Sequence, residues 1–388
     1  MRIAYLAWHG SVHTRRWAGW FAERGHEVHV ITCGGGDARD VGADGAPLPL
    51  RYRVHELGAP RGGKLGYVAR MRAARRAVRA IQPDVLHAHW LTSYGLLALG
   101  CDRRRLPLVV TAHGDDVLIA PRNPLLRRIV RRVLRAADLI TVPGEPMREA
   151  ALDLLAPDDP PGGGIAVFQY GVECGRLAAA GRSARAAVPR GGPVRVVSAR
   201  ALLDLYRIDV LLDAVALLVD DGEDLHLDLL GDGPQRDALE QRAARLGIAD
   251  RCTFHGAVTP ACVEEVVGAS DAYVSVSESD GVSLALLEAL ALGAVPVLSD
   301  IPANRPWVND GATGILVEID PADVADGIRR ALRLDRERVA ADNLAVVAER
   351  ADRDTNLGAC ELLVDSLIGV EWDATPATAD TEHRSDAA

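Results

Sequence analysis

No two of the six cysteines, Cys33, Cys101, Cys174, Cys252, Cys262 and Cys360, stand in a CxxC pair. That spacing argues against both a disulfide scaffold and a zinc site. No apolar run approaches the ~18 residues a membrane span needs. The N-terminus, MRIAYLAWHG, has one basic residue and a short apolar run that stops at Trp8, His9 and Gly10. It therefore reads as a first strand rather than a signal peptide, and a cytoplasmic location is expected. Also missing is the GxGxxG turn that a nicotinamide dehydrogenase requires between its first strand and helix, since the chain reads AWHGSVHTRRW there. No DxD-like motif follows a strand, so neither a bound metal nor a permanently bound cofactor is expected.

What is present fits a globular protein of two bodies. A chain of 388 residues is too long for one ordinary core and suits two α/β domains of roughly 150 to 200 residues. Hydrophobic residues at 48% and charged residues at 25% permit packed cores and exclude a largely disordered chain. The net charge of −10 conceals an asymmetry. Residues 1–188 hold 27 Arg/Lys against 17 Asp/Glu, a net of +10, whereas the remainder holds 17 against 37, a net of −20. Two bodies of opposite charge should attract each other across a cleft.

Short apolar runs alternate with helical stretches throughout. RIAYLAW, a helix near Ser11 to Arg24, then EVHVIT, give the strand, helix, strand order of a parallel sheet, and DVLHAHW, PLVVTAHG and DLITVPG continue it. After an Ala, Arg, Gly and Pro-rich stretch, RLAAAGRSARAAVPRGGP, a second set follows: VRVVSAR, LHLDLLG, CTFHGA, DAYVSVS and VPVLSD, with helices such as Gln235 to Leu246 between them. The expected organisation is a first Rossmann-like domain at 1–180, a linker at 181–192 and a second doubly wound parallel-sheet domain at 193–350. A helix at 351–370 should pack back towards the first domain, ahead of a disordered tail at 371–388. Two basic helices, YVARMRAARRAVRAI and LLRRIVRRVLRAAD, carry Arg on one face and Leu, Val or Ile on the other. A solvated face is the plainer reading of both, and weak peripheral membrane contact the other.

Chemistry concentrates in SESDGVSLALLEALALGAVPVLSD, Ser277 to Asp300. A strand ending at Ser277 meets a glycine turn, and helical spacing runs from Val282 to Leu292. The amides of Gly281, Val282, Ser283 and Leu284 would then face out of a helix N-terminus, which favours an anionic diphosphate. Asp280 and Glu288, eight positions apart, fall nearly on one side of that helix. The bland alternative makes Asp280 a cap and Glu288 a solvent-facing residue. Against it, Glu288 lies among Leu286, Leu287, Ala289 and Leu290, where an ionised carboxylate needs a partner.

With DVLHAHW, TAHGDDVL, LLGDGPQRDALEQRAARLGIADRCTFHGAV and DIPANRPWVNDGATGILV in the same order, this segment resembles the large retaining glycosyltransferase family 4 over nearly the whole chain. The resemblance implies the GT-B fold, two facing Rossmann-like domains with a cleft between them, and transfer of a sugar from a nucleotide carrier with retention. UDP is the expected carrier, beside GDP and ADP. By the same resemblance Glu288 holds the ribose hydroxyls and Asp280, where the family usually has Glu, holds hydroxyls of the transferred sugar. Arg200 matches the diphosphate-binding arginine, and its forked cation suits charge developing on a leaving phosphate. The family often has a lysine about six residues on, where this chain has Tyr206 and then Arg207 as a substitute. His113 matches a histidine that contacts the donor sugar, and Gly10 stands where many members carry a Gly-Gly pair. Of His87 and His89, one is expected to be plain packing. The Gly34-Gly35-Gly36 run reads as a flexible loop rather than a phosphate cradle.

The acceptor is read from the first-domain loops. Trp8, Trp17, Trp20, Trp90 and Tyr94 gather near strand ends and could stack on a sugar or cyclitol, with His13 beside them. Asp115 and Asp116 add negative charge to the same edge, which suits an amine, so an aminoglycoside or aminocyclitol intermediate is the favoured small acceptor. A lipid-linked or cell-envelope glycan is the alternative. Of other classes, a sugar-nucleotide epimerase would form product without acceptor, and a nucleotide-sugar sensor would release no UDP. No nucleic-acid partner is expected, and the protein should be a monomer or homodimer.

Overall fold

Apolar runs bounded by glycine or polar turns become strands, and the stretches with helical spacing cover them. The computed structural model describes residues 1–35, 49–61, 63–101, 106–155, 163–169, 171–189 and 191–369, so Gly36 and the tail expected at 371–388 lie outside the described residues. The first half runs β1 (Arg2–Leu6), α1 (Val12–Glu23), β2 (Glu27–Thr32), β3 (Arg53–Glu56), α2 (Met71–Ile81), β4 (Val85–His89), α3 (Gly95–Ala98) and β5 (Leu108–Thr111). It continues through α4 (Asp115–Leu118), α5 (Pro124–Ala136), β6 (Leu139–Val142), α6 (Glu145–Leu154) and β7 (Ile165–Val167). The second half begins with α7 (Cys174–Ala186), β8 (Val194–Ser198), α8 (Ile208–Asp220), β9 (Leu225–Leu230), α9 (Arg236–Arg245), β10 (Cys252–Gly256) and α10 (Pro260–Ala269). It ends with β11 (Ala272–Ser275), α11 (Leu284–Leu292), β12 (Val295–Ser299), β13 (Ile315–Val317), α12 (Pro321–Ala331), α13 (Arg336–Ala351) and α14 (Arg353–Ile368).

The strands form two wholly parallel sheets. The first is ordered β3-β2-β1-β4-β5-β6-β7 and the second β10-β9-β8-β11-β12-β13. In each, the order reverses between the first strand and its later neighbour, β1 beside β4 and β8 beside β11. Loops at the carboxyl ends of such a pair diverge to opposite faces and leave a crevice, the usual ligand site of an open α/β sheet. Tyr5, paired with His87, thus places His9 and Gly10 beside the loop after His89. Likewise Val197, paired with Tyr273, places Arg200 beside the loop that carries Asp280.

One expectation about the connections is corrected. Residues 174–186, read in part as linker, are helix α7, whose Leu177 joins the buried cluster of Leu286, Leu290 and Val347. Small residues let it lie close: a Cβ on Gly181 would stand 2.2 Å from the Leu292 carbonyl oxygen. The passages between the sheets run side by side at 171–173 and 351–353. The Val172 amide donates to the Ala351 carbonyl at 2.9 Å and the Arg353 amide to the Val172 carbonyl at 3.0 Å. Gly171 has φ +72°, and a Cβ there would lie 2.6 Å from the Arg353 Cα. Beyond this stitch α14 lies on the first sheet, with Leu357, Cys360 and Val364 packed among Ile3, Tyr5, Trp17 and Phe21.

The basic helices use their apolar faces internally. Ala74, Val78 and Ile81 of α2 and Val130, Val133 and Leu134 of α5 are buried in the first core. What α2 and α5 present outward is therefore mainly arginine. No helix among the described residues is long and apolar enough to cross a membrane.

The α7 contact yields a stability test. Gly181→Ala places a methyl against backbone that has little room to move and should destabilise the protein by about 1–3 kcal/mol. Urea unfolding measures this, with Gly175→Ala on the same helix, where a Cβ meets nothing within 4 Å, as the control.

Candidate functional site

The second sheet supplies a buried cation at its crevice. Arg200 follows β8 by two residues and is only 8% exposed. One guanidinium nitrogen, Nη2, donates to Asp280 Oδ2 at 2.6 Å, Nη1 donates to the Ser283 hydroxyl, and Cζ lies over the Tyr206 ring, 3.9 Å from its centre. A charge so withdrawn from water must be paired, and here it is paired on two sides and stacked on a third. Glycines bring the neighbouring loops near enough. A Cβ on Gly231 would sit 2.1 Å from the Arg200 carbonyl oxygen, and one on Gly233 2.4 Å from that of Leu202. The LLGDGP motif is thus the seat of the arginine loop.

Helix α11 starts later than its spacing suggests. Ser283 is its N-cap, accepting from the Leu286 amide at 3.3 Å, and Leu284 is the first helical residue. Val282 and Asp280 therefore precede the helix, and Asp280 and Glu288 do not share one helical face. Asp280 turns its second oxygen, Oδ1, to the Gly281 amide at 2.9 Å. The cluster that results joins Arg200, Asp280, Gly281 and Ser283 in one knot, next to the helix end whose first-turn amides have no carbonyl partner within the helix.

Glu288 lies across the cleft from α1, and Arg16 Nη2 donates to its Oε1 at 2.8 Å. Both are half-buried, and the pair spans the two bodies, giving Glu288 the partner its apolar neighbours were expected to require. A cavity of about 150 Å³ adjoins it, lined by Arg176, Val258 and Val263 among others. Arg207 stands at φ +44° and donates to both oxygens of Asp209, each at 3.1 Å, and to Glu278 at 3.1 Å. Through Glu278 it borders the Asp280 loop, while two acidic partners already engage it.

In the first domain the motif histidines form a stack. His113 Nε2 and His89 Nδ1 are 3.1 Å apart, and the His113 ring lies parallel to Trp90 at 4.1 Å. His13 is 5.6 Å from His113 and His87 is 4.7 Å from His89, ring centre to ring centre. His87 and His89 are both buried, where one of them was expected to be plain packing. Burial drives the imidazoles towards neutrality: His13 is lowered to about 4, with Arg16 adding to the effect, and His87 to about 3. His89 and His113 fall well below the usual range, first from burial and then from neighbouring histidines.

The acid pair expected at the acceptor edge separates. Asp115 is exposed on the first turn of α4, but Asp116 is buried and accepts from the amides of Leu91, His113 and Gly114 at 2.9, 3.0 and 3.1 Å. Asp116 is the residue that fixes the His113 loop. Of the five aromatics, Trp17, Trp20 and Tyr94 are buried, Trp90 covers His113, and Trp8 is exposed. Gly10 is confined by Trp8, and Gly35 presses on it: a Cβ on Gly35 would be 2.4 Å from the Gly10 nitrogen. His9 meets the Gly35 carbonyl through Nδ1 at 2.6 Å, so Gly35 is held where a flexible loop was expected.

Between the two bodies lies a cavity of about 610 Å³. Asp280, Gly281 and Val282 form one side, Gly144 and Met147 another, and Trp307 and Pro302 a third. A Cβ built on Gly281 would be 3.3 Å from the Met147 methyl, and one on Gly114 3.8 Å from the same atom. Met147 thus stands between the His113–Gly114 loop and the Asp280–Gly281 loop. Neither Met147, Trp307 nor the Tyr206 stacking was read from the sequence. Their residue types resemble core, and only the register of loops across the cleft reveals them.

Two family models match the chain, Glycosyl transferase 4-like over residues 2–143 and Glycosyl transferases group 1 over residues 183–345. The chain is 32% identical over 293 residues to D-inositol 3-phosphate glycosyltransferase of Nocardia farcinica, covering 69% of this chain and 62% of that protein's length. It is 30% identical over 304 residues to phosphatidyl-myo-inositol mannosyltransferase of Mycobacterium tuberculosis, with 72% and 75% covered. In fold it is similar to sucrose-phosphate synthase of Thermosynechococcus elongatus, with a TM-score of 0.75 at 18% identity over 95% of this chain and 99% of the other. An Anabaena protein solved with UDP-glucose aligns with a TM-score of 0.71 at 17% identity, covering 95% and 100%.

The histidine stack sets a pH dependence. An imidazole kept neutral in the fold yet protonated near 6.5 in the unfolded chain contributes stability above that pH. That contribution is lost as pH falls from about 6.5 towards 4 and 3, where the folded His13 and His87 themselves take protons. Melting temperature should therefore be level above pH 7 and decline between 6.5 and 4.5. His87→Asn should flatten that decline in calorimetric scans.

Proposed function

The chain belongs to the group 1 glycosyltransferases, of the GT-B type, and on that footing we propose that it moves a hexosyl or aminohexosyl unit from a UDP-sugar to an acceptor hydroxyl with retention. The observation that carries this reading is the knot of Arg200, Asp280 and Ser283 at the crevice of the second sheet, facing Met147 and Gly114 of the first domain. In the reading, the diphosphate lies at the end of α11 against the amides of residues 281–284. Arg200 turns from Asp280 to the phosphates, where its fork stabilises the charge that develops as the anomeric bond breaks. Asp280, so released, accepts from hydroxyls of the sugar. Glu288 exchanges Arg16 for the ribose hydroxyls, and Arg207 flanks the phosphates as the family's lysine does.

His113, neutral and stacked on Trp90, offers a donor or acceptor to the sugar without bringing charge to it. The acceptor oxygen attacks from the face that the diphosphate leaves, and the departing phosphate oxygen takes the hydroxyl proton. Charge is stabilised by protein groups and no metal is invoked. UDP is supported by the solved relative that holds UDP-glucose in the same fold. For the acceptor, an aminocyclitol retains the exposed Asp115 and Trp8 in its favour, and a lipid-linked glycan retains the arginine faces of α2 and α5.

Two substitutions separate binding from chemistry. Glu288→Ala removes hydrogen bonds to a charged group and should weaken UDP binding by roughly 10- to 100-fold, with a smaller effect on kcat. Arg200→Ala should lower kcat by roughly 100- to 1,000-fold, and Arg200→Lys, which loses the fork and the stacking on Tyr206, should restore little of it. Calorimetry with UDP and turnover of UDP-sugars test both, and two folded variants with full activity would refute the assignment.

A further inference from the structure

The cavity beside Asp280 has walls unlike those expected for a sugar or cyclitol. Leu118, Met147, Val167, Val282, Pro302 and Trp307 face it, and its charged groups already have partners. Glu145 accepts from Arg148 at 3.2 Å and Glu278 from Arg207 at 3.1 Å, Arg350 donates to the Pro306 carbonyl at 2.8 Å, and Asp280, now 2.6 Å from Arg200, is taken by the transferred sugar in the donor reading. A polyol placed here would surrender water at each hydroxyl and gain few hydrogen bonds in return, whereas an apolar body would gain from leaving water. At about 610 Å³ the space falls within the roughly 300–1,000 Å³ that encloses most of a drug-sized ligand. Leu118 on the wall and Ile119 next to it remain exposed, so the apolar surface continues outward from the mouth.

We propose that this cavity receives the acceptor, and that the acceptor is a hydroxyl-bearing molecule with an apolar body, seated with its hydroxyl towards Asp280 and Gly281. The proposal rests on the donor reading above, which places the transferred sugar at Asp280 and the diphosphate beside Gly281. The acceptor oxygen bonds to the anomeric carbon as the bond to the diphosphate breaks, and the hydroxyl proton leaves on the diphosphate. An aglycone in solution and the acyl region of a lipid share this chemistry.

The full chain tests it with a neutral fluorescent probe, N-phenyl-1-naphthylamine, and a product screen. The probe should bind saturably at one site. Leu118→Glu, at an exposed position, and Ala303→Trp, which fills the space, should each weaken it at least tenfold and leave UDP affinity by calorimetry within twofold. With UDP-glucose or UDP-N-acetylglucosamine, mass spectrometry should find sugar on 2-naphthol or decan-1-ol, or on dioleoylglycerol in phosphatidylcholine vesicles, the last outcome assigning the lipid source. Both variants should lose that transfer. The proposal is overturned if UDP binds but sugar passes only to myo-inositol or 2-deoxystreptamine, or if neither variant alters probe binding. No heat with UDP would instead remove the donor reading, a failure distinct from either of these.

Discussion

A guanidinium with almost no access to water holds the second domain's crevice together. Arg200 cannot be left unpaired at 8% exposure, so the loop after β11 must bring Asp280 and Ser283 to it, and the short turn at 204–206 must bring Tyr206. Those demands propagate. Gly231 and Gly233 lack side chains because the Arg200 and Leu202 carbonyls occupy the space that a Cβ would need. Ser283 serves two ends at once, capping α11 and accepting from the guanidinium. A local electrostatic requirement thereby fixes the position of a helix and of three strand-end loops.

The charge asymmetry between the halves takes a concrete form in the pair Arg16 and Glu288, which joins a helix of the basic half to one of the acidic half. The same is true further along, where Arg24 and His26 meet Glu361 of α14. The two contacts differ in what surrounds them. Glu361 is buried and belongs to the structural union of the C-terminal helix with the first sheet. Glu288 keeps part of its surface exposed beside a small cavity, so its partner can be exchanged at less cost in desolvation.

The fold was largely legible because its central strands are buried on both faces and read as nearly continuous apolar runs, as in LVVT, LITV and VPVLS. The strands missed, β3, β7 and β13, are three of the four sheet edges and only three or four residues long. An edge strand has a neighbour on one side alone and needs little apolar pattern. Arg200, Asp280 and Glu288 were singled out by motif and spacing; the structure joins Arg200 to Asp280 and sets Glu288 against Arg16. Asp116 was misjudged because an acid on a loop gives no sign in sequence of whether its oxygens face a ligand or, as here, three backbone amides. The start of α11 was placed early because Val282 fits helical spacing, whereas the serine after it offers the cap.

The stitched crossing at Val172 and Asp352 bears on how the two bodies can move. Two separate tethers at distant points would hold the halves rigid, and a single one would let them swivel freely. Two strands of chain bonded edge to edge behave as a leaf spring instead: bending about the line of contact is soft, while twisting or pulling apart must first break the amide bonds between Val172, Ala351 and Arg353. Any bending between the two bodies is therefore hinged on this one line of contact.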